Sequence, residues 1–275
     1  MEIKRIYAFS NNRQIWRLLP TETNKLIIEE RDIENKEVFF NCIDISTGER
    51  IFSDYQLDEK FWVGIEAIDK EVIYFHKFLK PDMPGHQGII AFDINSESIL
   101  WENSEYSFLF IDGSKIYCFK SLFEGRNFFV LDSKTGQLIE DLGDDIAEIN
   151  LLREKALSRQ TFHDYIFPQM YFPEDTLPEN IFNIFNEIKN EKVIAGKIEY
   201  ALFKDILFFN YHEVLNDGQL KNTFLGVEIN SNKRIFQEIL IDKTSAFVPD
   251  SFFFRQNLMF LLQEKIRLVV YNLKS

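Results

Sequence analysis

Apolar residues along this chain recur in short alternating runs that are separated by small polar turns. Between residues 62 and 101, four such runs follow one another, and they are rich in β-branched and aromatic side chains. Asn, Asp, Gly and Pro stand between the runs, which is typical of strands joined by tight turns. The stretch from residue 107 to residue 142 repeats the same order. The pattern predicts successive four-stranded antiparallel meanders.

One phrase of eleven residues occurs four times and marks the third and fourth strands of a meander. Each copy contains an apolar strand, an acid, a polar turn and a second apolar strand. The acids are Asp44, Asp93, Asp132 and Glu228. The residues eight positions further on are aromatic in three copies: Phe52, Trp101 and Phe236. Internal repeats of this kind are structural units that pack on their neighbours. Because a carboxylate that leads into a turn accepts backbone N–H bonds, we interpret the repeated acids as structural.

The hairpin turn inside each phrase needs one residue that tolerates a positive φ. Gly48 and Gly136 occupy this position in two copies. Glu97 and Asn232 stand there in the other two, and Asn tolerates the conformation better than Glu does. We therefore expect the same turn in all four copies.

The polar turns between first and second strands recur five times and so indicate five meanders. They lie at Asn24, Asp69, Asp112, Asp205 and Gln256-Asn257. The fifth meander reaches only a third strand, at residues 268–272, and residues 5–9 form an unassigned strand. Pairing of these two segments would leave no open sheet edge between the termini. The sequence predicts an all-β protein, a β-propeller of five blades whose N-terminal strand completes the last blade.

The acids of the third and fourth phrases, Asp132 and Glu228, are about twice as far apart as the others. We expect a single domain over residues 1–275 with an insertion at about 145–195. Prolines at positions 168, 173 and 178 break strand pairing there, and residues 178–189 predict a short amphipathic helix. A degenerate sixth blade is the alternative explanation.

Residues 91–101, with their Ala-x-Asp core and terminal Trp, resemble the repeats of PQQ-type (quinoprotein-like) β-propellers. Asp44 and Asp132, each followed by Thr-Gly, carry the same resemblance. It implies blade architecture and not chemistry. Quinoprotein dehydrogenases of this type have a secretory leader and an adjacent cysteine pair, which this sequence lacks, so we expect neither PQQ nor calcium and no other cofactor.

Composition narrows the range of partners. The chain of 275 residues has a net charge of −13, which disfavours nucleic acid because the phosphate backbone is also negative. No apolar run approaches the ~20 residues of a membrane span. Cys42 and Cys118 lie in apolar segments without ligand partners, and no signal peptide is evident. We expect a cytoplasmic monomer that binds a protein or a small molecule.

The insertion carries the first candidate site, an aromatic segment over residues 162–172. Its candidate binding residues are Phe162, His163, Tyr165, Phe167, Tyr171 and Phe172. Such a cluster is typical of a lid or of a patch that docks a partner. The alternative is that the insertion uses these rings for a small core of its own.

Three carboxylates form the second candidate site: Glu66, Glu199 and Asp250. They lie near first strands, where a propeller glycosidase would place two carboxyl groups roughly 5 to 9 Å apart. Each is equally explained as a polar residue on a solvent-lined wall. His76 and His86 flank a proline loop without acids at metal-ligand spacing, so the sequence predicts no metal site. We expect a non-catalytic binding or scaffold propeller that uses its channel face and aromatic insertion; a propeller-type glycoside hydrolase is the alternative.

Overall fold

The computed structural model describes residues 1–80, 83–159 and 162–274. That part of the chain is predominantly β-structure in several antiparallel sheets, with two helices. The chain forms two compact units, one of residues Gln14–Phe162 and the other of Met1–Arg13 with His163–Ser275. The single domain over residues 1–275 stays a prediction. Within the described residues, neither helix is long and apolar enough to cross a membrane.

The chain begins with β1 (Glu2–Phe9), and the unit Gln14–Phe162 then contains three four-stranded meanders. The first comprises β2 (Gln14–Pro20), β3 (Lys25–Asp32), β4 (Glu37–Asp44) and β5 (Arg50–Tyr55). The second comprises β6 (Val63–Asp69), β7 (Val72–Lys80), β8 (Met83–Asp93) and β9 (Ser98–Asn103). The third comprises β10 (Ser107–Asp112), β11 (Lys115–Leu122), β12 (Gly125–Asp132) and β13 (Leu138–Gly143). One parallel pair, Ser107 with Gly88, joins the second and third meanders into one sheet.

A helix that the sequence analysis did not predict, α1 (Ile146–Arg159), follows the third meander. The carboxylate of Asp145 caps it by accepting hydrogen bonds from the N–H groups of Ala147 and Glu148. Ile149 and Ala156 are its buried residues, and they pack on β10, β11 and β12. The residues between the third and fourth phrases therefore include more helix than expected.

The other unit contains two meanders and the second helix. Short strands and the helix come first: β14 (Tyr165–Ile166), β15 (Gln169–Met170) and α2 (Glu179–Glu191). The fourth meander comprises β16 (Ile194–Phe203), β17 (Ile206–Val214), β18 (Leu220–Glu228) and β19 (Lys233–Thr244). The fifth comprises β20 (Phe252–Arg255), β21 (Leu258–Gln263), β22 (Arg267–Lys274) and β1. Arg5 pairs with Tyr271 and Phe9 with Leu268, so the predicted pairing of the terminal strands is confirmed.

The segment around Pro168 joins sheets on both sides of that proline, whereas Pro168, Pro173 and Pro178 themselves lie outside the strands, as expected. β14 pairs with β20 and β15 pairs with β16. Each strand has only two residues and Pro168 lies between them, so no ladder hydrogen bond requires the N–H that proline lacks. Further on, α2 covers Glu179–Glu191, where the sequence predicts a helix over 178–189. Its apolar stripe packs on the fourth meander.

The expected backbone hydrogen bonds to the turn acid form at Asp44, Asp93 and Asp132, whereas in the described residues Glu228 accepts only the hydroxyl of Ser231. The Oδ1 atom of Asp44 accepts N–H bonds from Ser46 and Thr47 at 2.9 Å each, and Asp132 does the same with Lys134 and Thr135. The residues with positive φ in the four copies are Gly48, Glu97, Gly136 and Asn232. The phrase thus specifies a hairpin turn, even where glycine is absent.

In the three phrases that end on an aromatic residue, that residue contacts the following meander. Phe52 packs edge-on against Phe92 of β8, with ring centroids 5.7 Å apart. The indole Nε1 of Trp101 donates a hydrogen bond of 3.1 Å to the backbone oxygen of Ser133. Phe236 lies 5.1 Å from Tyr271 of β22. Successive meanders within a unit therefore share a core.

Candidate functional site

Three chemically active side chains meet on the second meander. Glu66 lies on β6, His76 on β7 and His86 on β8. His76 pairs with Gly64 across the first hairpin, and His86 pairs with Phe78 across the second. One register shift leaves Glu66 as the extra residue of β6, and a second sets two residues of β8, Gly88 and Ile89, opposite His76 of β7. Because a bulge redirects side chains locally, residues from three adjacent strands face one another here.

The two imidazoles converge on a single carboxylate oxygen. Glu66 Oε1 lies 3.1 Å from His76 Nδ1 and 2.8 Å from His86 Nδ1. The rings of His76 and His86 are stacked, with centroids 3.6 Å apart and planes 9° from parallel. One ligand atom from each of the three residues lies within 4.8 Å of the others, so the group has the composition and spacing of a metal site.

Burial sets the electrostatics of this cluster. The side chains of His76 and Glu66 are 5% and 15% exposed, whereas that of His86 is 39% exposed. Burial lowers the pKa of His76 against the opposing effect of the Glu66 carboxylate, which favours the neutral imidazole. Burial also acts to raise the pKa of Glu66, but His76 and His86 outweigh it and hold that pKa below its usual value. A neutral imidazole beside a carboxylate is the state in which both bind metals.

Glycine at position 64 makes room for the buried ring. A Cβ atom there would lie 2.9 Å from His76 Cε1 and 3.1 Å from His76 Nε2. Both distances are shorter than ordinary contacts between a Cβ atom and its neighbours. The His76 ring therefore occupies the space that a side chain at position 64 would fill. The guanidinium of Arg17 closes the same region by donating hydrogen bonds of 3.2 Å to the backbone oxygen of Ile65. The neighbouring residues therefore hold the His76 ring in a fixed, buried position beside Glu66.

His86 also lines a cavity of about 680 Å³ between the β7–β8 hairpin and the third meander. Its wall includes Gln87, Ser107, Phe119 and Arg126. The guanidinium of Arg126 lies 4.3 Å from the centroid of the Phe119 ring. Within the described residues no carboxylate pairs with Arg126. A second cation at the wall, Lys120, pairs with Glu105 at 2.6 Å. The volume is that of a small-molecule site.

The three predicted carboxylates have different surroundings. Glu66 belongs to the histidine cluster in the unit Gln14–Phe162. Glu199 is 7% exposed, and its Oε1 accepts a bond of 3.1 Å from the backbone N–H of Asp250. Burial raises the pKa of Glu199, although that backbone bond opposes the change. The structure thus brings Glu199 to the backbone of Asp250 and Glu66 to two imidazoles.

The aromatic segment divides into buried and exposed rings. Tyr171 is 4% exposed and packs 4.8 Å from Phe185 of α2, so it belongs to the core. Lys197 lies 3.7 Å from the Phe172 ring. The other members are Phe162, His163, Tyr165 and Phe167. Of these, Phe167 is 44% exposed and stacks on Tyr165 with centroids 5.8 Å apart.

The sequence analysis missed the link between Glu66 and the two histidines. Each lies ten positions after the one before it, which matches no short metal motif. Counting outward from the Asp69-Lys70 turn places His76 opposite Ile65, and only the bulge at Glu66 shifts its partner to Gly64. The bulges that turn the side chains together leave no signal in the spacing.

Comparisons with known proteins give limited matches. Residues 19–101 match a family model described as "Domain of unknown function (DUF4905)", and no PQQ-type family model matches. No curated protein matches the chain. A crystal structure of a member of the duf4221 family from Bacteroides vulgatus is 9% identical, with a TM-score of 0.37 and coverage of 99% of this chain and 98% of that one. The AfRom2 CNH domain is 8% identical, with a TM-score of 0.35 and coverage of 100% and 99%.

Proposed function

We propose that the chain is a five-bladed β-propeller in which β1 completes the last blade. Five four-stranded meanders built on one repeated phrase support this architecture. The aromatic residue at the end of a phrase packs on the next meander within each unit, which is how radial blades share a core. The antiparallel ladder between β1 and β22 supports the closing strand. We also propose that the blades resemble those of PQQ-type propellers in their repeated turn.

The function we propose is non-catalytic binding of a small anionic molecule in the cavity beside His86. One observation carries it: Arg126 lines a cavity of suitable volume and is paired with no carboxylate in the described structure. A guanidinium stacked on Phe119 is held in place while its N–H donors remain available to a carboxylate or phosphate. Gln87 and Ser121 at the same wall add polar groups for orientation.

A protein partner on the aromatic insertion is the second part of the binding proposal. The observation in its favour is the exposed stack of Phe167 on Tyr165, with Phe253 at 6.1 Å from Phe167. Amphipathic aromatic groups of this kind are enriched in the centres of protein interfaces. The buried Tyr171 packs on Phe185 of α2 and is not part of that surface.

The glycosidase alternative receives less support from these surroundings. Hydrolysis of a glycoside requires two carboxyl groups that face a sugar from opposite sides. Glu66 contacts two imidazoles, and Glu199 accepts a backbone N–H. We therefore propose binding rather than catalysis.

Thermal unfolding with a panel of anions tests the binding proposal. Inorganic phosphate, sugar phosphates and di- and tricarboxylates are added to the full chain and to the variant Arg126→Ala. A ligand at about 100 times its Kd stabilises by roughly 2.7 kcal/mol, so one class should raise the Tm of the native chain by several degrees and that of Arg126→Ala by little.

The matched control is Arg153→Ala, which removes an exposed arginine from α1, outside the cavity wall. It should respond to the anion as the native chain does. If no anion class changes the Tm, or if both arginine variants respond equally, the proposed ligand class is wrong.

A further inference from the structure

We propose that Glu66, His76 and His86 form a binding site for a zinc-type divalent transition-metal ion. The inference does not depend on the anion proposal, because the metal alone tests it. It concerns a carboxylate and two histidines whose relation the sequence does not reveal. Four features of the site support it: the chemistry of the ligands, their distances, the burial of His76 and the exposure of His86.

Two imidazoles and one carboxylate are a ligand set of borderline softness, which suits zinc, cobalt and related ions better than magnesium or calcium. Three protein ligands are also the number found where zinc keeps one coordination position open. Glu66, His76 and His86 each offer one atom, and these atoms all lie within 4.8 Å of one another. The chemistry therefore specifies the class of ion.

The distances fit an ion with small adjustments. Bond lengths of about 2.0–2.1 Å in a tetrahedron give separations between ligand atoms of about 3.3 Å. Glu66 Oε1 lies 3.1 Å from His76 Nδ1 and 2.8 Å from His86 Nδ1. Shifts of about half an ångström or less would bring these two edges of the tetrahedron to that value. Because an ion lies in the plane of each imidazole that binds it, the two rings, now 9° from parallel, would also rotate so that both nitrogens face the ion.

His76 supplies the independent sign that a group is missing from this position. Its side chain is 5% exposed, and neither ring nitrogen makes a hydrogen bond of good geometry within the described residues. A buried polar atom without a partner is costly, and native structures rarely leave one unexplained. Because Nδ1 points toward Glu66 Oε1 at a non-ideal angle, an ion between them would satisfy both atoms.

His86 provides the entry to the site. It is the most exposed of the three residues and lines the cavity of about 680 Å³. An ion held there is therefore open to solvent on one side, and a water molecule or an anion from the cavity can complete its coordination. The strands β6, β7 and β8 fix the three ligands on one sheet, which is more rigid than a site made from loops.

Metal titration of the full chain tests the site. Zinc chloride and cobalt(II) chloride are titrated into chelator-treated protein in excess magnesium chloride, which occupies weak sites among the acidic residues. We expect one ion per chain. The visible absorption spectrum of the bound cobalt should be that of an ion with a low coordination number. His86→Gln and Glu66→Gln should each weaken binding by about 100-fold or more, since loss of outer-shell partners alone costs 10–100-fold. Thermal unfolding without metal checks that both variants are folded.

His163→Gln is the matched control, because His163 is an exposed histidine in the other unit. It should bind the ion as the native chain does. The proposal is overturned if the native chain binds no zinc at micromolar concentration. It is equally overturned if folded His86→Gln and Glu66→Gln bind as tightly as the native chain, since the cluster is then a set of hydrogen bonds and nothing more.

Discussion

At the scale of single residues, the repeated aspartates show how a charge stabilises a turn. Hydrogen bonds from the Thr135 hydroxyl and N–H lower the pKa of Asp132. Burial acts to raise the pKa of Asp44, but hydrogen bonds from Thr47, Asn24 and Ser46 outweigh it and leave that pKa below its usual value of 3.8. The Oδ1 atom of each carboxylate accepts the hydrogen bonds of its own turn, and Oδ2 of Asp44 also accepts one from the Asn24 side chain.

The shifts predict an acid-dependent loss of stability. Because both pKa values are lower in the folded chain, the unfolded chain takes up protons first as the pH falls. Their contribution is complete above about pH 5 and is lost as the pH falls below about 4. The double variant Asp44→Asn, Asp132→Asn should therefore show a shallower fall of Tm between pH 6 and pH 3.5, by about 2 °C or more.

Asp205→Asn is the control for this experiment, because Asp205 lies in a turn but its carboxylate makes no hydrogen bond in the described part of the chain. Its Tm should fall with pH as steeply as that of the native chain. An equally steep fall in the double variant would show that the turn carboxylates do not carry the acid dependence.

Residue-scale prediction succeeded where the information was local. A phrase of eleven residues determines its own turn, so the positive φ of Glu97 and Asn232 followed from alignment with Gly48 and Gly136. The group of Glu66, His76 and His86 was missed because its residues come from three strands and meet only through two register shifts. Sequence spacing records the strands and gives no indication of the bulges.

At the scale of elements, β1 connects the beginning of the chain to its last meander. It pairs with β22 from Glu2 to Phe9, with a bulge between Arg5 and Tyr7. Phe9 is 4% exposed, whereas Ile6 in the bulge is 40% exposed. The strand therefore contributes to the core through some of its apolar residues and not through others.

This difference gives a matched pair of variants. Phe9→Ala should cost about 3–5 kcal/mol, the usual cost of removing a buried aromatic ring, and should lower the Tm by about 10 °C. Ile6→Ala should change the Tm by about 2 °C or less, because the side chain is already 40% exposed in the folded chain. Thermal unfolding by circular dichroism measures both. Equal effects of the two variants would show that β1 does not add a buried strand in solution.

The helices show what limits prediction of elements. α2 was predicted because Ile181, Phe185 and Ile188 form a stripe that is buried in the structure. α1 was missed because its large apolar residues do not mark its buried face: Leu151 is 60% exposed and Leu157 51% exposed. A helix that packs through a narrow strip gives a weak periodic signal.

At the scale of the whole molecule, five meanders repeat one scaffold, but among the described residues only the second carries a group with the composition of a metal site, Glu66, His76 and His86. Counted from the turn after the first strand, the positions equivalent to His76 in the other meanders are Arg31, Phe119, His212 and Gln263. Repeated residues such as the turn aspartates serve folding, since every copy needs them. Residues that depart from the repeat and meet at a cavity are where function is placed.

In our proposal, the second meander binds a metal ion between Glu66, His76 and His86. Diffraction from crystals of the full chain grown with zinc, collected just above and just below the zinc absorption edge, tests it most directly. We expect one strong anomalous peak at bonding distance from Glu66 and both imidazoles, and no such peak in His86→Gln crystals. Zinc found only at surface carboxylates, with this position empty, would show that the three residues do not form a metal site.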